Sequence, residues 1–207
     1  MITDLLRARR SVRRFKPDPV PRALLERVLE AAVTAPSASN KQPWRFFVVE
    51  TRATIAAMAA AVRDAAARLE AAVPEESRAS FHAYGDYFTR FEGAPAVIVP
   101  AFRGHAVLSH LVADAASPED RALVAAMERD SGLVGASLAL MSLLLAAHEA
   151  GLGASAMTGP LVAAPALRAI LGLPGTFGLV ALVPIGFPDE APAPTDRKPV
   201  DKVVRWL

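Results

Sequence analysis

The residues with the most chemistry in this 207-residue chain fall in four short stretches. Residues 7–14 carry five arginines (Arg7, Arg9, Arg10, Arg13 and Arg14) with Ser11 among them. A guanidinium donates two parallel charge-assisted hydrogen bonds, which suits phosphate, and the serine adds a hydroxyl. A solvated basic surface at a helix end, or a nucleic-acid patch, would have the same composition. Residues 36–44 (PSASNKQPW) set small polar side chains between Pro36 and Pro43. Such a loop suits the polar rim of a flat heterocycle; an ordinary helix-to-strand loop anchored by Trp44 would look the same. Residues 151–156 (GLGASA) have the spacing of a dinucleotide fingerprint in the wrong setting. They follow a helix rather than a strand, and no acid occurs over residues 171–178, about 20 positions on. Gly151 reads instead as a left-handed helix stop. It is followed by the turn Thr158, Gly159, Pro160, whose backbone can approach a ligand closely. The fourth stretch is residues 197–204 (RKPVDKVV), a basic tail leading into an edge strand.

Other chemistries are excluded by what is missing. Zero cysteines rule out disulfides, zinc thiolates, iron–sulfur clusters and thiol nucleophiles. His82, His105, His110 and His148 have no ligand spacing beyond the 105/110 pair, and no HExxH, Gly-x-Ser-x-Gly or phosphate-binding Walker loop occurs. Lys+Arg 23 against Asp+Glu 21 gives a net charge of +2. The sequence pI of 9.3 therefore reflects a small Arg-heavy excess, not a nucleic-acid footprint. Residues 1–10 lack an export-type apolar region. The most apolar run, 133–147, is shorter than the roughly 20 residues a membrane span needs. These readings predict a cytoplasmic protein without nucleic-acid or membrane partners.

The elements that must position these residues follow from periodicity. Thr3 caps a short helix through Arg10. Pro21 opens a second helix whose stripe is Leu24, Leu25, Val28, Leu29 and Ala32. Residues 45–49 read as a strand, 54–72 as an Ala-rich helix, and 80–93 as an aromatic-rich helical segment. Residues 96–102 read as a buried strand, 103–118 as a loop or lid. Residues 121–150 make a long helix, apolar nearly all round and so expected to be covered on every side. A short helix over 165–171, a strand over 178–185, an extended run over 188–199 and a terminal strand over 203–207 complete one domain. This mixed order points to α+β. The chain is 53% hydrophobic with mean hydropathy +0.29, more apolar than a 207-residue monomer needs.

Taken together, the four stretches resemble the nitroreductase family of flavoproteins. Residues 9–15 look like its Arg-Arg-Ser-x-Arg-x-Phe, and 36–44 like its Pro-Ser-x-x-Asn-x-Gln-Pro-Trp loop. Residues 143–153 resemble its central helix ending in Gly-Leu-Gly, and 197–204 its C-terminal signature. All four occur in the family's order. Leu140, Met141 and Ser142 stand where many relatives have a Gln-Asn pair. The resemblance implies a three-layer α/β/α sandwich on a mixed, mainly antiparallel sheet. It also implies an obligate homodimer, the sheet completed by the partner's C-terminal segment, with FMN at each end of the interface. Arg9, Arg10, Ser11 and Arg13 would hold the FMN phosphate and ribityl chain, with Arg197 and Lys198 closing on the phosphate. From the other subunit, Pro36, Ser37, Ala38, Ser39, Asn40 and Gln42 would line the flavin ring. The backbone at Thr158 and Gly159 would lie near its reactive edge. The implied activity is ping-pong transfer of hydride from NADH or NADPH to a nitroaromatic, quinone or similar small acceptor, with no side chain acting as catalyst. The alternatives are a dehalogenating or oxygen-dependent relative, or a flavin-binding protein with little turnover. Residues 81–91 and 103–118 are the candidate substrate lids.

Overall fold

The computed structural model describes residues 1–112 and 116–207. Its spine is β2 (Ala96–Phe102), buried along its whole length. Ala96, Ile98 and Phe102 face one core cluster, while Val97, Val99 and Ala101 face another. A strand covered on both faces reads as one continuous apolar run, as these residues do. Along one edge of β2, β1 (Trp44–Val49) pairs antiparallel, from Trp44 opposite Phe102 to Val49 opposite Val97. The other edge carries β4 (Gly178–Leu179) and β5 (Val183–Gly186), and β5 pairs in turn with β3 (Gly153–Ala154). All these pairings are antiparallel; the isolated bridge between Ser11 and Ala154 is parallel.

The single strand predicted over 178–185 is two strands on one edge, separated by a bulge. Gly178 lies opposite Phe102, whereas Val183 lies opposite Ile98, a slip of one residue. Val180 and Ala181, neighbours in sequence, therefore face the same cluster, and Leu182 faces the other. The bulge has a positional consequence. Leu182 exchanges two backbone hydrogen bonds of 2.9 Å with Met157, which anchors the turn over 156–160 to the sheet.

Helices form the outer layers. On one face lie α2 (Arg22–Ala32) and α6 (Pro118–Glu149); on the other lie α3 (Arg52–Glu70) and α7 (Ala164–Ile170). The predicted stripe of α2 holds: Leu25, Val28 and Ala32 are buried, and Leu24 and Leu29 pack half-buried on the same cluster. The helix α6 starts on a Ser117 cap, whose hydroxyl accepts the Asp120 N–H at 3.0 Å, with Pro118 at its first position. It runs 32 residues, longer than its apolar stretch suggested, and is long and apolar enough to cross a bilayer by length and composition. One side of it is core: Gly135, Ala136, Ala139, Leu143 and Ala147 are buried. The expectation of cover on every side fails within one chain, because Val134 is 58% and Leu138 44% exposed.

Other boundaries differ from expectation. The first helix, α1 (Ile2–Ala8), starts on Met1 rather than Thr3. The aromatic segment is not one helix: α4 (Glu75–Gly85) ends early, and a turn then drops Phe88 and Phe91 into the core. Within residues 103–118, a short helix α5 (Leu108–Val112) forms, and residues 113–115 lie outside the described residues. Residues 188–199 run without regular structure except for a bridge between Phe15 and Pro188. The predicted terminal strand is absent in the single chain; a 3-10 turn, Val200–Lys202, is followed by exposed Val203, Val204, Trp206 and Leu207.

Candidate cofactor site

The basic N-terminal run is held against the sheet. After α1, the Val12 N–H bonds the Ala154 carbonyl at 3.1 Å, and the Lys16 N–H bonds the Phe187 carbonyl at 2.9 Å. Gly153 is required here: a Cβ on it would come within 2.6 Å of a Val12 methyl. Gly151 takes φ +75°, the left-handed stop expected of it. Glu190 fixes the run from the other side. One of its oxygens accepts the Arg13 and Arg14 N–H groups at 2.6 and 3.1 Å, and the other lies 3.3 Å from Arg14 Nε. Burial pushes this carboxyl's pKa up, but the two N–H groups and the Arg14 charge outweigh it and hold it below the ordinary value.

This arrangement brings the two ends of the chain to one cleft of about 650 Å³. Arg7, Arg9, Arg10, Ser11 and Arg13 line one wall; residues 192–195 and Arg197 line the other. Lys198 does not line it. The guanidiniums are not equally available. Arg10 turns Nη1 onto the carbonyls of Arg7, Ala8 and Arg9 at 2.6–3.0 Å, closing the end of α1. Arg197 places Nη1 on Thr195 Oγ1 at 2.6 Å and on the Asp196 carbonyl at 3.0 Å. Arg9 is different: its Nε is buried and has no hydrogen-bond partner among the described residues. A buried donor left unpaired costs free energy, so a site that keeps one is poised for an acceptor.

Arg13 also lines a second cavity, of about 290 Å³, with Tyr84, Tyr87, Phe88 and residues 156–160. Its guanidinium lies 5.9 Å from the centre of the Tyr87 ring, and that of Arg90 lies 3.8 Å from the same ring. Thr158 and Gly159 are therefore joined to the basic cleft through Arg13. The close approach at Gly159 is made by Phe88, whose ring would stand 2.4 Å from any Cβ there. Nearby Ser155 is fully buried with an unpaired hydroxyl.

The polar loop lies elsewhere in the chain. None of residues 36–42 lines either cavity. Ser39, Asn40 and Gln42 have φ of +50°, +51° and +46°, unusual for side chains other than glycine. Ser37 Oγ accepts the Gln42 N–H at 2.9 Å, and Gln42 Nε2 donates to Asn40 Oδ1 at 3.2 Å, so the loop is held in this strained form. Pro36, Ser37 and Ala38 line a shallow groove with the exposed Val134 and Leu138 of α6.

One residue of this region escaped the sequence reading. Glu128, on α6, is 9% exposed and caps α5 from outside. Its Oε1 accepts the N–H groups of Val107, Leu108 and Ser109 at 2.7, 2.6 and 3.2 Å, and its Oε2 accepts the Ser109 hydroxyl. No spacing rule links positions 20 apart on different elements. The Ser109 hydroxyl and these N–H groups hold the carboxyl below its ordinary 4.5, against an opposing effect of burial. A depressed folded-state pKa makes the cap fully effective above the ordinary carboxylate range and lost as pH falls through the lowered value. Amide protection factors at residues 107–109 are therefore expected to be high near neutral pH and to collapse in acid. In Glu128→Gln they should be low and independent of pH; a pH-dependent profile there would contradict this role.

Comparison with known proteins agrees with this geometry. The sequence model of the Nitroreductase family matches residues 6–187. An NADH dehydrogenase of Thermus thermophilus is 38% identical over 202 residues, covering 96% of this chain and 92% of that protein. A BluB-like flavoprotein from Clostridium difficile superposes with TM-score 0.83 at 21% identity, covering 100% of this chain and 99% of the other. Iodotyrosine deiodinase bound to FMN and 3-iodo-L-tyrosine gives TM-score 0.75 at 24% identity, covering 100% and 99%. The match from residue 6 to residue 187 takes in the basic run, the polar loop, the bulged sheet and the glycine stop in a single alignment, and the chain belongs to the Nitroreductase family.

Proposed function

We propose that the chain is an FMN-dependent oxidoreductase that carries hydride from NADH or NADPH to a nitroaromatic, quinone or similar small acceptor. The observation that carries this reading is the cleft where both basic ends of the chain converge, with Arg9 on its wall and the buried Arg9 Nε unpartnered among the described residues. That donor set suits a phosphate dianion, and Arg13 leads from it to a cavity walled by aromatic rings and the backbone of Thr158 and Gly159. Arg9, Ser11 and Arg13 hold the FMN phosphate and ribityl chain; Arg10 and Arg197 add charge with the nitrogens their own loops leave free. Lys198 contributes at most long-range charge. Bound FMN supplies the redox chemistry, accepting hydride and passing it on, so no side chain needs to act as acid or nucleophile. The protein's share is binding, orientation and exclusion of water.

The same reading places the protein in a homodimer, in the compartment that supplies NAD(P)H, the cytoplasm. Three features support it. Pro36, Ser37, Ala38, Ser39, Asn40 and Gln42 line neither the Arg cleft nor the aromatic cavity of their own chain, which fits a loop that reaches a flavin ring in trans. Val134 and Leu138 expose an apolar face on α6. The tail past residue 200 leaves Trp206 and Leu207 exposed, with no cover among the described residues. The test is spectroscopic. The purified protein should show flavin bands, bleach them anaerobically with NADH or NADPH, and recover them on adding a quinone. A protein that carries no flavin and gains none when FMN is added would overturn the reading.

A further inference from the structure

Pairing of β1 with β2 assembles a group of cations that no sequence spacing announces. Trp44 lies opposite Phe102 and Arg45 opposite Ala101. The Arg103 N–H then bonds the Pro43 carbonyl at 3.2 Å and extends the ladder by one step. Gly132 lets the chain cross α6 there, since a Cβ on it would stand 2.6 Å from the Arg103 carbonyl oxygen. The result is a cavity of about 160 Å³ under α5, with Lys41 and His105 on its walls. Lys41, Arg45 and Arg103 all act electrostatically on His105; together with burial, the larger effect, they keep its pKa below the ordinary value. Among the described residues, the side chains of Lys41, Arg103 and His105 have no hydrogen-bond or ion-pair partner, and Arg45 has only its neighbouring Trp44 carbonyl.

The acid on the wall, Glu128, offsets one of these charges, but its oxygens are taken by the start of α5, and Lys41, Arg45 and Arg103 together exceed it. The rest of the lining is largely apolar, with Pro43, Val107, Leu108 and Met127, and adds the two hydroxyls of Ser39 and Ser131. A cavity of about 150 Å³ admits a single benzene-sized ring. A net excess of positive charge attracts an anion, and apolar walls strengthen that attraction. Ala38 and Ser39 line this cavity and also belong to the polar loop, so a ligand here would lie beside the flavin.

We propose that this cavity selects the acceptor: it takes a one-ring aromatic acid, the ring against Pro43, Leu108 and Met127 and the carboxylate held by Lys41 and His105, with Arg103 and Arg45 adding charge from beyond the wall. This rests on the oxidoreductase reading above. The test uses flavin-loaded protein with NADH and two acceptors of one shape, 4-nitrobenzoate and 4-nitrobenzamide. The acid is expected to have the higher kcat/KM, by about tenfold. Lys41→Met should remove much of that gap through the KM of the acid and leave the amide unchanged, Lys41→Arg should restore it, and Arg103→Met, off the wall, should remove a smaller part. A second readout needs no turnover. Binding of benzoate should raise the His105 titration followed by NMR, because its charge offsets Lys41, Arg45 and Arg103 while Glu128 stays capped.

The outcomes separate the two readings. Equal turnover of acid and amide overturns the anion site and leaves the oxidoreductase intact. A Lys41→Met variant that changes only the NADPH-to-NADH preference assigns the anion to the reductant and also overturns the proposal. If neither acceptor is reduced, the oxidoreductase reading fails. The His105 titration then decides alone: a rise with benzoate upholds an aromatic-acid site, and no shift ends it.

Discussion

Arg9→Ala is expected to weaken FMN binding by roughly tenfold to a hundredfold while leaving the flavin-free protein no less stable. The two halves come from one observation, the buried Arg9 Nε without a partner. A hydrogen bond to a charged group contributes about 1.5–3 kcal/mol, and each 1.4 kcal/mol is tenfold in affinity. In the flavin-free chain that donor is a liability, so its removal should leave the thermal midpoint unchanged or raise it. Arg13→Ala should lose a similar factor in affinity and also alter the cavity at Tyr87, since Arg13 lines both cavities. Lys198→Ala should change little, because Lys198 is not on the cleft wall. Flavin titration and thermal melts of the loaded and unloaded forms check all of these. If Arg9→Ala destabilised the unloaded protein and left FMN affinity unchanged, Arg9 would be structural and its assigned role wrong.

The second large effect concerns α6. Val134→Arg combined with Leu138→Arg is expected to convert the proposed dimer to monomer and strip the flavin at the same time. Both residues are exposed in the single chain, 58% and 44%, and they border the groove under Pro36, Ser37 and Ala38. An obligate interface buries 2,000 Å² or more, roughly, and an unpaired charge inside one costs on the order of 3–5 kcal/mol. The dimer constant should therefore worsen by more than about a hundredfold. Because both side chains already face outward, the monomer should still fold. Sedimentation measures the assembly, and the flavin-to-protein ratio measures the site. Loss of flavin together with the dimer is the expected signature of a loop acting in trans. A variant that becomes monomeric yet keeps FMN at full affinity would show that each chain completes its own site.

Much of the local structure was legible from the chain alone. The run over 96–102 is a strand with the predicted bounds, since a strand buried on both faces has no alternation to blur. The stripe of α2 and the left-handed stop at Gly151 also hold, because periodicity and a positive φ are properties of a few adjacent residues. A run of arginines and a serine that could meet a phosphate is likewise a property of adjacent residues. Sequence by itself therefore determined the α+β class, the family and the basic runs that could meet an anion.

Tertiary structure decided which of those residues are available, and where. Arg9 and Arg10 are neighbours of one type, yet Arg10 gives Nη1 to the end of α1 while Arg9 keeps a buried, unpaired nitrogen. The one-residue slip at Val180 and Ala181 splits the predicted strand and ties Leu182 to Met157, which places the Thr158 turn. Glu128 and the group of Lys41, Arg45, Arg103 and His105 left no trace in any local pattern. Arg10's partners are close in sequence; for the sheet and for Glu128 the physical reason is distance along the chain. Spacing rules capture what neighbours along the chain do to one another, whereas burial, pairing register and the choice between competing hydrogen-bond partners are fixed by residues 20 to 180 positions away.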